Sequence, residues 1–113
     1  MTNPLDQYYI QVALNYARRG LGRTAPNPSV GCVIVKAEYI IAAARTADQG
    51  RPHAEKRALE KAGREAQGAD IYVTLEPCSH EGQSGSCAKA LIAAKPKRVI
   101  IACTDINPAV SGA

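Results

Sequence analysis

The sequence contains no tryptophan and no phenylalanine, so tyrosine, present five times, is its one type of aromatic residue. A core must therefore be built from Ala, Val, Ile, Leu and Tyr, and the hydrophobic share of 46% is ordinary for a globular protein. Proteins that bind single-stranded nucleic acid interleave basic residues with aromatic side chains on which bases stack. The sequence has neither that interleaving nor a basic run, so we expect no nucleic-acid partner.

Long apolar stretches are missing as well. No run approaches the roughly eighteen residues of a membrane-spanning helix, and the N-terminus lacks the basic, apolar and small-residue order of a secretory signal. We therefore expect a cytoplasmic protein without a membrane partner. In that compartment its four cysteines (Cys32, Cys78, Cys87 and Cys103) are expected to be thiols or metal ligands and not disulfides.

Length and charge set broader limits. The 113 residues are enough for one compact domain and not two, so residues 1–113 are predicted to form a single domain. The formal charge of +4 suits an anionic substrate, but such a charge is also common in proteins that bind no anion. Charge therefore adds little to the choice of function.

Hydrophobic spacing predicts an alternation of helices and strands. The predicted helices cover 4–19, 53–62 and 88–94, and the predicted strands cover 30–36, 38–44, 71–75 and 98–103. The first two strands should form a hairpin, although its Ala37-Glu38 turn is poor because tight hairpins prefer Asn-Gly or Asp-Gly. The last strand–helix–strand unit should be a parallel crossover. The order predicts a three-layer α/β/α sandwich with a mixed sheet.

Burial can be predicted for parts of these elements. The first helix should bury Leu5, Tyr8, Tyr9, Val12 and Tyr16, which follow helical spacing. The near-continuous apolar run at 30–36 is typical of a strand buried on both faces, and the run at 98–103 predicts another buried strand. Cys32, inside the first of them, is predicted to be a small core residue.

One histidine, one glutamate and two cysteines form the chemically informative set. His53-Ala54-Glu55 starts a predicted helix, Pro77-Cys78 follows a strand, and Cys87 starts the next helix. Zinc binds imidazole and thiolate in a tetrahedron, and catalytic sites leave the fourth position to water. A carboxylate that is not a ligand then moves protons, and H-x-E followed by P-C-x-x-C is the signature of nucleobase and nucleoside deaminases. This chain departs from it, because eight residues and not two separate its cysteines.

Single features of this set are weak evidence. A histidine before a helix is by itself more often a surface residue than a ligand, and the combination with Glu55 and the two cysteines reverses that expectation. The loop 24–29 holds Asn27 between two prolines and could present it to a substrate. Taken alone, this loop is more often an ordinary turn.

Four longer stretches resemble one known family. They are APNPSVGCVIV (25–35), GRPHAEKRAL (50–59), YVTLEPCSHEG (72–82) and RVIIACTDINPAVSG (98–112). The chain resembles the deaminase domain of the bifunctional riboflavin-biosynthesis deaminase/reductase, within the cytidine deaminase-like superfamily. The eight residues between Cys78 and Cys87 are typical of this family, whereas related deaminases more often have P-C-x-x-C.

The resemblance implies a function and roles for individual residues. It implies zinc-dependent hydrolytic deamination of 2,5-diamino-6-hydroxy-4-(5-phosphoribosylamino)pyrimidine, a phosphorylated small molecule, in riboflavin biosynthesis. His53, Cys78 and Cys87 would bind zinc, and Glu55 would be the catalytic proton shuttle. The implied substrate contacts are Asn27 and, at the ribose-phosphate end, Asp105 and Asn107. His80 does not match a family ligand and is interpreted either as loop structure or as a residue that supports the zinc ligands.

The chain departs from the family pattern at four places. Thr46 stands where a substrate-contacting histidine is expected, and Gln83 replaces a basic residue expected near the substrate phosphate. Lys95-Pro96 replaces a glycine-hydrophobic pair after a helix. The sequence ends at Ala113, where the family fold continues with a further helix and strand and then a reductase domain, so we expect a sandwich truncated after its fourth strand.

These departures keep two other hypotheses open. The first is a non-catalytic zinc-binding remnant of the domain, in keeping with the changes at Thr46 and Gln83 and the early end. The second is a deaminase of another base, nucleoside or RNA, because loss of the basic residue suits a substrate without phosphate. The sequence leaves homo-oligomerisation open.

Overall fold

The computed structural model describes residues 4–23, 29–50, 53–75 and 84–103. The helices are α1 (Pro4–Arg19), α2 (Ala54–Ala62) and α3 (Ser84–Ala93), with short 3-10 turns at Asp48–Gly50 and Gly63–Ala66. The strands are β1 (Gly31–Lys36), β2 (Tyr39–Arg45), β3 (Asp70–Leu75) and β4 (Arg98–Cys103). No helix in these ranges is long and apolar enough to cross a membrane.

The four strands form one mixed sheet in the order β2-β1-β3-β4. β1 is antiparallel to both of its neighbours, whereas β3 and β4 are parallel. The predicted hairpin and parallel crossover are therefore confirmed. α1 packs on one face of the sheet, and α2 and α3 pack on the other, so the three-layer α/β/α architecture is confirmed as well.

The central strand β1 is buried as its apolar run predicts. Cys32, Val33 and Ile34 have no exposed surface. Their side chains alternate between the two cores, with Cys32 and Ile34 under α2 and Val33 under α1. Cys32 is thus a core residue, as predicted.

The predicted buried face of α1 is wrong in part. Tyr9 is buried, but Leu5 and Tyr8 are 47% and 58% exposed, and the other buried positions are Asp6, Ala13 and Ala17. The reason is the close approach of the helix to β1, where a methyl group at Gly31 would overlap the carbonyl oxygen of Ala13. A helix this close to the sheet presents small side chains and turns its larger ones outward.

Asp6 is buried at the start of α1 because β3 and β4 supply its partners. Arg98 donates to the Asp6 carboxylate at 3.0 and 3.2 Å, and the Tyr72 hydroxyl donates to the same group. Arg98 also donates to Asp70 at 2.8 and 3.2 Å. This four-residue cluster, which we call the Asp6 cluster, ties the first turn of α1 to the beginnings of β3 and β4.

The expectation that β4 is a buried strand is wrong in part. Val99 is 38% exposed and Ile101 is 57% exposed, whereas Ile100 packs against the core under α1. β4 is the last strand of the described sheet, so its Val99 and Ile101 side chains have neighbours from β3 on one side alone.

Two turns hold non-glycine residues with positive φ. Ala37 and Glu38, the hairpin turn, have φ of 53° and 67°, which agrees with the weak turn chemistry of this dipeptide. Lys95, after α3, has φ of 56°, the left-handed conformation that glycine adopts at lower cost. The sequence thus predicts both strained turns correctly.

Candidate active site

One end of the sheet collects the residues to which the sequence points. β1 begins there, and β2, β3 and β4 end there, because β1 is antiparallel to β2 and β3 and β4 is parallel to β3. α2 follows the end of β2 and α3 follows the end of β3, so both helices also begin at this end, and they pack against each other. We call it the site end. Open α/β sheets bind ligands beyond the carboxyl ends of their strands.

His53 and Glu55 lie at the start of α2. His53 is the residue before the helix, with an extended backbone (φ −73°, ψ 161°), and its side chain is partly exposed. Glu55 lies in the first turn and is 5% exposed. Within the described residues, no side chain forms an ion pair with Glu55 or donates to its carboxylate. A buried carboxylate in the first turn of a helix is suited to exchanging protons with a ligand.

Cys87 lies at the start of α3, although the helix begins earlier than predicted. The predicted helix covers 88–94, and the observed one is Ser84–Ala93. Cys87 is therefore the fourth residue of α3 and not the residue before it. It remains in the first turn of the helix.

Two threonine hydroxyls bind the start of β1. Thr46 Oγ1 accepts the N–H of Val30 at 2.9 Å, and Thr74 Oγ1 accepts the N–H of Gly31 at 2.9 Å. Both threonines are 1% exposed. The Thr46 N–H also donates to the Val30 carbonyl, so β2 stays paired with β1 for one residue beyond Arg45.

An arginine pair surrounds the segment between β2 and α2. Arg45 donates to the Thr46 carbonyl at 2.7 Å and to Asp48 at 2.9 Å, and Arg23 lies 3.7 Å from Asp48. The hydrogen bond from Arg45 lowers the pKa of Asp48, and the charge of Arg23 adds to this. The backbone N–H of Gln49 donates to the Arg23 carbonyl, which joins this segment to the end of α1.

Comparison with known proteins identifies the family. The sequence model described as the cytidine and deoxycytidylate deaminase zinc-binding region matches residues 3–103. The chain belongs to this deaminase family. The resemblance to riboflavin-biosynthesis deaminases, inferred from four motifs, is also confirmed by the relatives and structures that follow.

The relatives include both long and short proteins. The chain is 51% identical over 107 residues to the riboflavin biosynthesis protein RibD of Escherichia coli, covering 95% of this chain and 29% of that protein. It is 46% identical to the diaminohydroxyphosphoribosylamino-pyrimidine deaminase of Buchnera aphidicola, covering 95% of this chain and 73% of that protein. RibD of Acinetobacter baumannii has a similar structure, with a TM-score of 0.77 and 53% identity over 96% of this chain and 30% of that one.

The described structure contains part of the predicted metal centre of this family member. Cys78 lies outside the described residues, and for Cys87 the backbone alone is described. Among the described side chains, no three of His, Cys, Asp or Glu cluster around a common point. The donor set nevertheless fits zinc, because the starts of two packed helices carry one imidazole and one thiol, and Cys78 would add the second.

One of the predicted substrate contacts lies within the described residues, and the others lie outside them. Asn27, Gln83, Asp105 and Asn107 lie outside the described residues, as does His80. Thr46 lies at the site end, with its side chain buried and its hydroxyl bound to Val30. These five contacts stay predictions.

Sequence reasoning missed three residues that build the site end. Thr74 binds the start of β1, Arg45 binds the segment that leads to α2, and Arg57 of α2 donates to the Arg45 carbonyl at 2.8 Å. A signal was present for Arg57, because it follows His53 by four residues and so lies on the same face of α2 as the predicted ligand. The bonds of Thr74 and Arg45 depend on strand register, which no local pattern reveals.

Proposed function

We propose that this chain catalyses zinc-dependent hydrolytic deamination of 2,5-diamino-6-hydroxy-4-(5-phosphoribosylamino)pyrimidine. Water replaces the exocyclic amine on a ring carbon, giving 5-amino-6-(5-phosphoribosylamino)uracil and ammonia. The observation that carries the proposal is the start of α2, where His53 and the buried Glu55 lie together at the site end. The Buchnera relative, whose name states this deaminase activity, supports the choice of substrate.

His53, Cys78 and Cys87 are the proposed zinc ligands. When bound, zinc lowers the pKa of a water molecule, so that the nucleophile is available near neutral pH. Glu55 would take a proton from the attacking water and pass it to the departing amine, which becomes a better leaving group. Burial of Glu55 at 5% exposure supports this role, because it keeps bulk water from competing for the proton.

One observation favours a second candidate, a deaminase of another base or nucleoside. Thr46 stands where the family resemblance expects a histidine that contacts the substrate, and its buried hydroxyl accepts the Val30 N–H. A buried hydroxyl that already binds the backbone is less available for hydrogen bonding to a substrate than an exposed imidazole would be. Together with Gln83, this change supports a substrate that lacks the phosphate.

The test compares two variants of the same helix. Glu55→Gln should retain zinc, and its rate of ammonia release should fall by at least about 10²-fold, the lower end of what general acid–base catalysis contributes. Glu60→Gln, an exposed position in the same helix, should retain both. Zinc content is measured by metal analysis and ammonia by a coupled assay with the phosphoribosylaminopyrimidine.

Each outcome selects one hypothesis. Turnover of the phosphorylated pyrimidine by the wild type and loss in Glu55→Gln support the proposal. Turnover of unphosphorylated pyrimidines or nucleosides in its place supports the second candidate. Bound zinc without turnover of any substrate in the panel indicates a zinc-binding remnant, and equal rates for Glu55→Gln and the wild type would exclude the proton-shuttle role.

A further inference from the structure

The free edge of β2 carries outward-pointing carbonyl groups. β2 is the first strand of the described sheet, and β1 is its partner there. In an antiparallel pair, alternate residues direct their backbone groups toward the partner and away from it. The Thr46 N–H bonds to the Val30 carbonyl, so Thr46 faces β1, and Ala43 and Arg45 face away from it.

Two cations of α2 bind these outward carbonyls. Arg57 Nη1 donates to the Arg45 carbonyl at 2.8 Å, and Lys61 Nζ donates to the Ala43 carbonyl at 3.0 Å. Four residues along a helix span about 6 Å, and two residues along a strand span about 6.8 Å. The two repeats match, so the pair fixes the register of α2 along β2.

The two bonds differ in what lies beside them. The Arg57 N–H donates to the His53 carbonyl at 3.1 Å, and Arg57 is two residues from Glu55. The carbonyl that it binds is held in place, because the Arg45 side chain binds Thr46 and Asp48. Lys61 lies one turn further from the site end, and its bond is exposed to solvent.

We propose that Arg57 is a positioning residue that holds the first turn of α2, and with it His53 and Glu55, in reach of the substrate. This inference rests on the proposed function. Arg57 binds β2 and not the reacting atoms, so its removal should lower kcat and leave KM nearly unchanged. A displacement of about 1 Å in a catalytic group can cost up to 10²-fold in rate.

The test uses Arg57→Met, Arg57→Lys and the matched control Lys61→Met. Each methionine variant removes one bond between α2 and β2, and methionine has a helix propensity similar to that of arginine and lysine. We expect kcat to fall about tenfold or more in Arg57→Met with KM within about twofold, and to change less than twofold in Lys61→Met. Arg57→Lys, which keeps one donor, should recover part of the rate.

Hydrogen exchange gives a readout that needs no activity. The backbone amides of 57–59 should exchange at least about fivefold faster in Arg57→Met than in the wild type, and near the wild-type rate in Lys61→Met. If the wild type releases no ammonia, the proposed function fails, and this exchange result alone decides the positioning role. Equal effects of the two methionine variants, or an unchanged rate at 57–59, would overturn the inference. A raised KM with unchanged kcat would also overturn it, since Arg57 would then act on substrate binding.

Discussion

Replacement of Asp6 by asparagine tests whether the Asp6 cluster stabilises the fold through charge. Asn keeps an oxygen that can accept from the Tyr72 hydroxyl, but it loses the charge that faces Arg98. Hydrogen bonds that involve a charged group contribute roughly 1.5–3 kcal/mol each to folding. Arg98 is 42% exposed and keeps Asp70 as a partner, so solvent screening reduces this value, and we expect a loss of about 1–2 kcal/mol at pH 7.

The loss should depend on pH in a defined direction. Hydrogen bonds from Arg98, and secondly from Tyr72, hold the pKa of Asp6 below its usual range. A carboxyl with a lowered folded-state pKa contributes its stability above its unfolded pKa of about 4, and this contribution disappears as the pH falls through the lowered value. The stability difference between wild type and Asp6→Asn should therefore be constant from about pH 7 to 5 and should shrink below about pH 4.

Urea unfolding followed by far-UV circular dichroism measures this difference, because the chain has no tryptophan to report by fluorescence. Asp48→Asn is the control. The pKa of Asp48 is also lowered, chiefly by the hydrogen bond from Arg45, but this side chain is 54% exposed, so we expect a smaller loss of stability. Equal stability of Asp6→Asn and wild type at pH 7, or a difference that does not change with pH, would refute the reasoning.

Two further predictions concern backbone positions. Gly31→Ala should destabilise the fold by about 3 kcal/mol, because the new methyl group overlaps the Ala13 carbonyl and neither backbone can move aside. Gly20→Ala should destabilise it by about 1 kcal/mol, because its methyl group meets the Ser29 hydroxyl, which can move. Urea titration of both variants checks the order, and equal losses would contradict it. Glu38→Gly should raise the unfolding free energy by about 0.5–1 kcal/mol, since glycine adopts the observed φ of 67° without strain. A lower melting temperature for this variant would show that the turn is not strained.

The sequence predicted the elements well where a periodic pattern covers a whole element. The helix over 4–19 and the strand over 98–103 agree with α1 and β4 residue for residue, and β2 is displaced by one residue. α3 begins four residues earlier than predicted because its first turn, Ser84 to Cys87, contains glycine and serine and lacks an apolar period. The alternation of strands and helices was sufficient to predict the three-layer architecture, since few arrangements of these elements bury every apolar face.

Burial was predicted less well because it depends on neighbours from distant parts of the chain. Leu5 and Tyr8 follow helical spacing as well as Tyr9 does, yet the close contact of Ala13 with Gly31 selects a different face. An aspartate such as Asp6 is expected at the surface, and the local sequence does not reveal that Arg98, 92 residues later, binds it. Candidate zinc and proton-transfer residues can be proposed from the sequence because their chemical identity, and not their packing, suggests the chemistry; these roles stay predictions.

The site end is held by side chains where the sheet's own hydrogen bonding stops. At the last pairs of the sheet, the N–H groups of Val30 and Gly31 and the Arg45 carbonyl bind side chains, those of Thr46, Thr74 and Arg57. The Thr46 hydroxyl therefore accepts the hydrogen bond of a buried N–H. An imidazole at this position has a bulkier ring and would need a different geometry to accept the same bond. A residue that departs from the family pattern at a substrate position is thus, in this chain, part of the sheet. For this reason Thr46, whatever residue the family pattern expects there, supports the start of β1.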